Sequence, residues 1–228
     1  MATVNGIVSS TSTPVNGRQL RADAVRNRQQ VLAAARDVFV ELGPDAPLDE
    51  VARRAEVGIA TLYRRFPDRE SLQCAVALDV LAQAGAVAAQ AESEEADAWR
   101  ALGRYMHGAL DLRISAVMPA LLGHISFEDE EFKVARDAAT GPVLRIIAAG
   151  QAAGQLRPDI DFGDIGLLLV RLSRPLPGPI PAELDLRVAH RHLDLFLSAL
   201  KPSSDDALKG PALSLAQLQE IGAQTEER

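Results

Sequence analysis

Apolar residues recur three and four positions apart along most of the chain, the period of helices packed on one side. Val31, Ala35, Val38 and Leu42 share one face of a helix predicted over 23–42, which Gly43 and Pro44 end. Leu48, Val51, Ala52 and Ala55 stand at i, i+3, i+4 and i+7, the stripe of a short second helix. Glu56, Val57 and Gly58 break the pattern, and a third helix resumes with Leu62 and Phe66 on one face. Asp68 is placed to cap a fourth helix that runs without proline to about Ala91. Further helices are expected over 97–115, from Pro119, and after the acidic run 128–131. This last helix is expected to be interrupted or kinked at Gly141 and Pro142, and Gly154 to cap its end. Two more follow over 161–173 and 185–200, separated by PLPGPIP (175–181), which is too proline-rich for helix. Long β-branched alternation is absent, so the fold class is all-α.

The stretch 48–66, LDEVARRAEVGIATLYRRF, has the form of a helix-turn-helix. At 100° per residue, Ala60, Thr61 and Arg64 point away from the Leu62–Phe66 face, flanked by Tyr63 and Arg65. A first helix that braces and a second that offers a small, polar and basic face suits base edges and phosphates. Arg64 is the first choice for reading a base, because a guanidinium binds guanine O6 and N7 bidentately. An ordinary helical hairpin is the plain alternative, and the cluster Arg53, Arg54, Arg64, Arg65 and Arg69 argues against it.

Charge supports this only after it is divided. The net charge of −7 is wrong for a nucleic-acid binder as a whole, but residues 18–73 hold 10 Arg against 9 acidic residues, and the remainder carries the excess of acid. Acidic bulk repels DNA from every face except the one with the arginines. Aromatics are 4% of the chain, so the core must be built from Ala, Leu, Val and Ile.

Residues 26–72 resemble the N-terminal domain of the TetR (tetracycline repressor) family in three pieces: a leading helix ending in Phe39, Leu42 and Gly43; the recognition helix ATLYRRF; and PDRESL opening a fourth helix. The resemblance implies an all-helical homodimeric regulator with an N-terminal three-helix DNA-binding domain and a larger C-terminal ligand-binding and dimerisation domain. It also implies a repressor that a small-molecule effector releases from a palindromic double-stranded DNA operator. Residues 1–22 then form a disordered arm, 23–75 the helix-turn-helix domain, 76–200 the ligand-binding and dimerisation domain, and 201–228 a flexible tail. In that tail Leu215, Leu218 and Ile221 are spaced for a short docking helix. By the same resemblance Ile59 and Ala60 stand where bases are read, Thr61 and Tyr63 where phosphate or thymine methyls are touched, and Arg69 where a phosphate is clamped. Arg65 contacts backbone or is solvated. Two departures matter: Glu56 stands where the turn usually has Gly, costing about 1 kcal/mol if its φ is positive. Pro47-Leu48 replaces the usual hydroxyl start of the second helix, leaving Asp45 to cap it.

For the effector, the richest mixture of bulky and polar groups is Trp99, Tyr105, Met106, His107, Arg113, Met118, His124 and Phe127, although each alone reads equally as core or surface. Leu186, Ala189, Leu193, Phe196, Leu197 and Leu200 follow a near-heptad seam, matched by Ile165, Leu168, Leu169 and Leu172 on the preceding helix. The resemblance pairs both stripes with their copies; the alternative is that they close the monomer core. An activator or ligand-independent DNA-binding protein is a second reading. An enzyme is a remote one, since His190 and Asp194 share a face but His192 does not, and HExxH, GxSxG and a phosphate-binding glycine loop are missing. No metal or cofactor is expected. The single Cys74 excludes an intramolecular disulfide, no apolar run approaching ~18 residues is apparent, and the start lacks a signal-peptide core, so a cytoplasmic protein with no membrane partner is expected.

Overall fold

The computed structural model describes residues 17–121, 129–202 and 208–226. The described chain is helical throughout: α1 (Gly17–Leu42), α2 (Leu48–Arg54), α3 (Ile59–Arg65), α4 (Arg69–Glu94), α5 (Ala98–Asp111), α6 (Ile114–Leu121), α7 (Glu130–Ala152), α8 (Phe162–Leu172), α9 (Ala182–Ala199) and α10 (Leu215–Glu226). Helix α1 begins at Gly17, ahead of the expected Asp23, so the segment expected to be a disordered arm is partly helix; 1–16 lie outside the described residues.

Helix α4 joins the two halves of the molecule. Asp68 starts it with a capping box: its carboxylate accepts from the Ser71 amide at 2.7 Å, and Ser71 Oγ accepts from the Asp68 amide at 3.4 Å. Its first turns pack on α1, and its middle and end pack on α5 and, most extensively, α7. The buried face contains Val76, Val80 and Leu81 together with Ala77, Ala84, Ala88 and Ala91, small enough for neighbouring helices to come close. This alanine-rich composition also makes α4 long and apolar enough to cross a membrane, contrary to the expectation that no such run exists; here it is the central core helix.

Three expected boundaries move. Helix α7 runs through Gly141 and Pro142 without the interruption that was expected there as the alternative to a kink. Pro142 is buried and has no amide to give the Ala138 carbonyl one turn back. Helix α4 passes this same point at Gly85, where a Cβ would lie 3.2 Å from Ala139 Cα and 3.3 Å from the Ala138 oxygen. Close packing on α4 therefore holds the helix together across a pair that would break it in isolation.

The helix expected over 97–115 ends at Asp111, because Arg113 takes φ 49° and redirects the chain into α6; no glycine or proline marks that break. Pro119, expected to start a helix, lies inside α6.

The tail is not simply a flexible linker. The Leu208 amide donates to Asp159 at 3.2 Å and the Gly163 amide to the Leu213 carbonyl at 2.8 Å, before α10 packs on α8. The Arg157 guanidinium, then the Leu208 amide, hold the Asp159 carboxyl down to about 2. Gly163 is where the chain needs no side chain: a Cβ there would collide with the Leu213 backbone.

Replacing Gly85 by Ala should lower stability by about 1–3 kcal/mol, because the obstruction is backbone and cannot rotate away. Chemical denaturation of the two proteins measures this, and an unchanged midpoint would mean that α4 and α7 are not in close contact at this point.

Candidate nucleic-acid interface

Helices α2 and α3 are each seven residues long and gain their stability from what they bury. Leu48, Val51, Ala52, Ala55, Leu62 and Phe66 are all buried beside Val38 and Phe39 of α1. The turn between them closes as a Schellman motif: Val57 N donates to Ala52 O at 3.0 Å and Glu56 N to Arg53 O at 3.2 Å. Glu56 is the left-handed residue that the motif requires, at φ 54°. Helix α2 starts at Pro47 with no side-chain cap, so the expected capping by Asp45 is not found.

With Leu62 fully buried, the opposite face of α3 is left open. Ile59, Ala60, Tyr63 and Arg64 are exposed there, Tyr63 at 48%. Thr61 is half-buried, and its hydroxyl accepts from Arg64 Nη2 at 3.4 Å. These five residues form one continuous surface of small, apolar, hydroxyl and cationic groups.

The other arginines are already engaged. Arg53 meets Glu50 in a fork of 2.8 and 2.7 Å; Arg54 reaches Glu50 at 2.8 Å and Glu41 of α1 at 2.6 Å. The Arg53 guanidinium, then that of Arg54, bring the Glu50 carboxyl down to about 2, so this network is lost only as the pH falls toward that value. Arg65 donates to the Ala24 carbonyl at 2.6 Å, which ties the end of α3 to α1. Arg28 of α1 lies over the Phe66 ring at 5.3 Å from its centre.

Arg69, matched by resemblance to a phosphate clamp, turns inward. Its Nη1 donates to the carbonyls of Pro44 at 3.0 Å and Ala46 at 2.6 Å. Gln73, one turn on and buried, adds a bond to Pro44 O at 3.0 Å. Together they fasten the start of α4 to the α1–α2 turn. Sequence reasoning passed over Gln73 because a glutamine on a helix reads as surface, and its carbonyl partner lies 29 residues away.

The groups expected to hold an effector are scattered. Tyr105 and Met106 are buried in the core, and burial pushes the Tyr105 hydroxyl up to about 12. Trp99 donates to the Leu197 carbonyl at 3.0 Å beneath the Lys201 ammonium, and Met118 is half-buried against the core. His107 meets His190 and Asp194, and Arg113 approaches Glu41 at 4.0 Å. His124 and Phe127 lie outside the described residues. The larger clefts open elsewhere: about 280 Å³ around Gln29, Arg36 and Asp79, and about 250 Å³ around Asp164, Arg171 and Leu213.

Of the residues expected at a dimer seam, Ile165, Leu169, Ala189, Leu193, Leu197 and Leu200 are buried within the chain itself, while Leu168, Leu172, Leu186 and Phe196 are half-buried. The exposed leucines of these two helices are others: Leu167 on α8, and Leu184 and Leu195 on α9. Cys74 is half-buried, and burial, followed by the charge of Glu70, raises its thiol. Among the described residues no group of three or more His, Cys, Asp or Glu side chains is arranged to hold a metal ion.

Two substitutions separate structure from contact. Glu56→Gly should stabilise the chain by about 1 kcal/mol, raising Tm by about 2–4 °C, since Gly takes the left-handed turn without cost. Arg69→Ala should lower Tm in the absence of DNA by a comparable or larger amount, because two carbonyls lose a charged donor. A residue acting purely on phosphate would leave the melting curve of the free protein unchanged.

The comparisons with known proteins agree with this geometry. Residues 31–76 match the family described as bacterial regulatory proteins, tetR family. A 62-residue stretch is 42% identical to the uncharacterized HTH-type transcriptional regulator TtgW of Pseudomonas putida, covering 26% of this chain and 46% of that protein; the match thus spans about half the length of the relative. Among solved structures, a TetR transcriptional regulator from Streptomyces coelicolor is 31% identical with a TM-score of 0.57, over 78% of this chain and 99% of that one. A TetR transcription regulatory protein from Mycobacterium vanbaalenii has the same identity and TM-score, over 80% and 99%. LfrR from Mycobacterium smegmatis, solved in complex with proflavine, shares the fold at 20% identity and a TM-score of 0.57, over 79% and 99%. With 31% identity sustained over 99% of two solved regulators, and a helix-turn-helix whose core and turn follow from its own residues, the chain belongs to the TetR family of bacterial transcriptional regulators.

Proposed function

We propose that this protein is a homodimeric repressor that binds a pseudo-palindromic operator through α3 and is released from it by a small-molecule effector. The observation that carries the DNA half is the open face of α3, where Arg64 stands beside Tyr63, Thr61, Ala60 and Ile59 on a helix braced from behind by Leu62 and Phe66. Arg64 reads guanine, Ile59 and Ala60 pack on thymine methyls, and Thr61 and Tyr63 touch the backbone. Arg65 and Arg69 act by holding α3 and α4 in position.

The dimer half rests on the outer faces of α8 and α9. Leu167, Leu184 and Leu195 are exposed, Leu195 at 64%, and half-buried Leu168, Leu172, Leu186 and Phe196 lie on the same two helices. A second copy covering this face in an isologous contact would bury those leucines. The inner residues Ile165, Leu169, Ala189, Leu193, Leu197 and Leu200 would support the face from within. Two recognition helices about 34–36 Å apart would then meet successive major-groove faces.

The effector half is supported by the fold, which holds proflavine in the Mycobacterium smegmatis protein, and by a polar route between domains. Arg113, at the left-handed turn between α5 and α6, faces Glu41 of α1, and Glu41 accepts from Arg54 of α2. Trp99, Tyr105, Met106, His107, Met118, His124 and Phe127 are the candidate contacts for an apolar effector with a few polar anchors. Such a molecule shifts operator affinity only as far as it binds the released shape more tightly.

Footprinting on the DNA flanking the gene, with Arg64→Ala alongside, tests the whole reading. A protected pseudo-palindrome is expected, with the substitution costing about 1–3 kcal/mol at one base pair per half-site. Protection indifferent to Arg64 would remove α3 as the reading element.

A further inference from the structure

Away from the α3 face, α5 and α9 meet through four ionisable side chains in a crossed arrangement. His107 and Asp111 stand four apart on α5; His190 and Asp194 stand four apart on α9. Each histidine reaches the other helix's carboxylate: His107 Nε2 lies 3.1 Å from Asp194 Oδ1, and His190 Nε2 lies 2.8 Å from Asp111 Oδ1. Their remaining ring nitrogens face each other, Nδ1 to Nδ1, at 2.7 Å. The rings are within 12° of parallel with centres 5.0 Å apart. That separation exceeds the nitrogen–nitrogen distance by about one ring width, so the rings meet edge to edge, nearly in one plane, rather than face to face. A hydrogen bond between the two nitrogens needs this in-plane approach.

Counting protons decides what the arrangement can hold. An ionised carboxylate only accepts, so each Nε2 facing one must carry a proton. The Nδ1 pair needs one proton between them. The four nitrogens are satisfied by three protons, one more than two neutral imidazoles supply. With two, either lone pair faces lone pair across 2.7 Å or one Nε2 turns a lone pair to its carboxylate; with four, N–H faces N–H. We propose that His107 and His190 form a proton-binding site that takes up one shared proton, the one state in which all three hydrogen bonds linking α5 to α9 through these rings are made.

A metal ion fits less well. A tetrahedral zinc about 2.0–2.1 Å from each nitrogen would hold the two Nδ1 atoms about 3.3 Å apart, out of line with each other. The charged groups nearest along the two helices are Arg104, Asp111 and Arg113 from α5 and its terminal turn, and Arg187, Arg191 and Asp194 from α9. Arg104 is held by Glu94 and Glu95 of α4, and Arg113 faces Glu41 of α1. On its other side, α5 meets α4 at Gly108, against the methyls of Val87. The two carboxylates hydrogen-bonded to the rings favour positive charge on the pair, and the contact between the two Nδ1 atoms limits it to one.

The sign follows from the count. Loss of the shared proton as the pH rises breaks the bond between the two Nδ1 atoms and leaves the two histidine–carboxylate bonds. Entry of a fourth proton as the pH falls sets N–H against N–H and breaks the same bond. The contribution of the pair to stability is therefore a maximum between two limits, within the span of about pH 5–8 where histidine titrates. It stands whether or not α9 pairs with a second copy.

The test uses the full chain labelled with ¹⁵N at its four histidines, freed of metal by chelation. Across pH 5–8, His107 and His190 should change protonation as a coupled pair with a plateau of three ring protons. Melting of wild type and His190→Gln over the same range should differ most on that plateau, by about 2–4 °C, and converge on both sides. If His190→Gln fails to fold, the titration of the wild-type rings decides alone. Independent titration, two neutral Nε2–H rings on the plateau, or a melting difference that changes in one direction only would overturn the proposal. So would stoichiometric zinc uptake that His190→Gln abolishes.

Discussion

The bonds from Arg69 and Gln73 to the carbonyls of Pro44 and Ala46 are the constraint around which the molecule is arranged. Helix α4 belongs to both halves of the chain, and these bonds give its first turn a fixed place against the α1–α2 turn. The capping box at Asp68 sets where the helix begins, and the alanine face further along sets how closely α5 and α7 approach. The first turn of α4 and the α1–α2 turn therefore separate only by breaking these bonds. The guanidinium and the buried amide leave α4 little freedom to slide relative to α2.

The same economy governs the crossing of α4 and α7. Gly85 brings α4 onto the backbone of Ala138 and Ala139, at the point where Pro142 denies α7 one of its hydrogen bonds. A local weakness in one helix is thus covered by the close approach of another. Residues 208–214 do comparable work on the far side of the domain, where Leu213 crosses Gly163 and Asp159 receives the Leu208 amide.

The head was legible because its signals are local. The i, i+3, i+4 stripe of α2, the turn at Glu56, the Asp68 cap and the open face of α3 all follow from residues within a few positions of one another. What escaped was decided at a distance. Arg113 adopts a left-handed conformation with no glycine to announce it, so the boundary between α5 and α6 reads several residues too late. Gly141-Pro142 reads as a break until α4 is seen beside it. Arg69 reads as a phosphate contact because its carbonyl partners, 23 and 25 residues earlier, leave no mark in its neighbourhood. The apolar stripes of α8 and α9 show amphipathic helices, but periodicity alone does not distinguish a face buried by the chain's own core from one buried by a second copy.

The arginines of α2 to α4 have a consequence for how DNA binding responds to salt. Arg53 and Arg54 share carboxylates, and Arg65 and Arg69 donate to backbone carbonyls, whereas Arg64 is exposed and bonded only to a hydroxyl, that of Thr61 at 3.4 Å. Each phosphate neutralised by a protein cation releases condensed counterions, and the steepness of salt dependence counts those releases. A head that commits its guanidinium groups to its own fold releases few. Its hold on an operator would come from the fit of α3 in the groove, and would change less with ionic strength than that of a binder studded with free lysines.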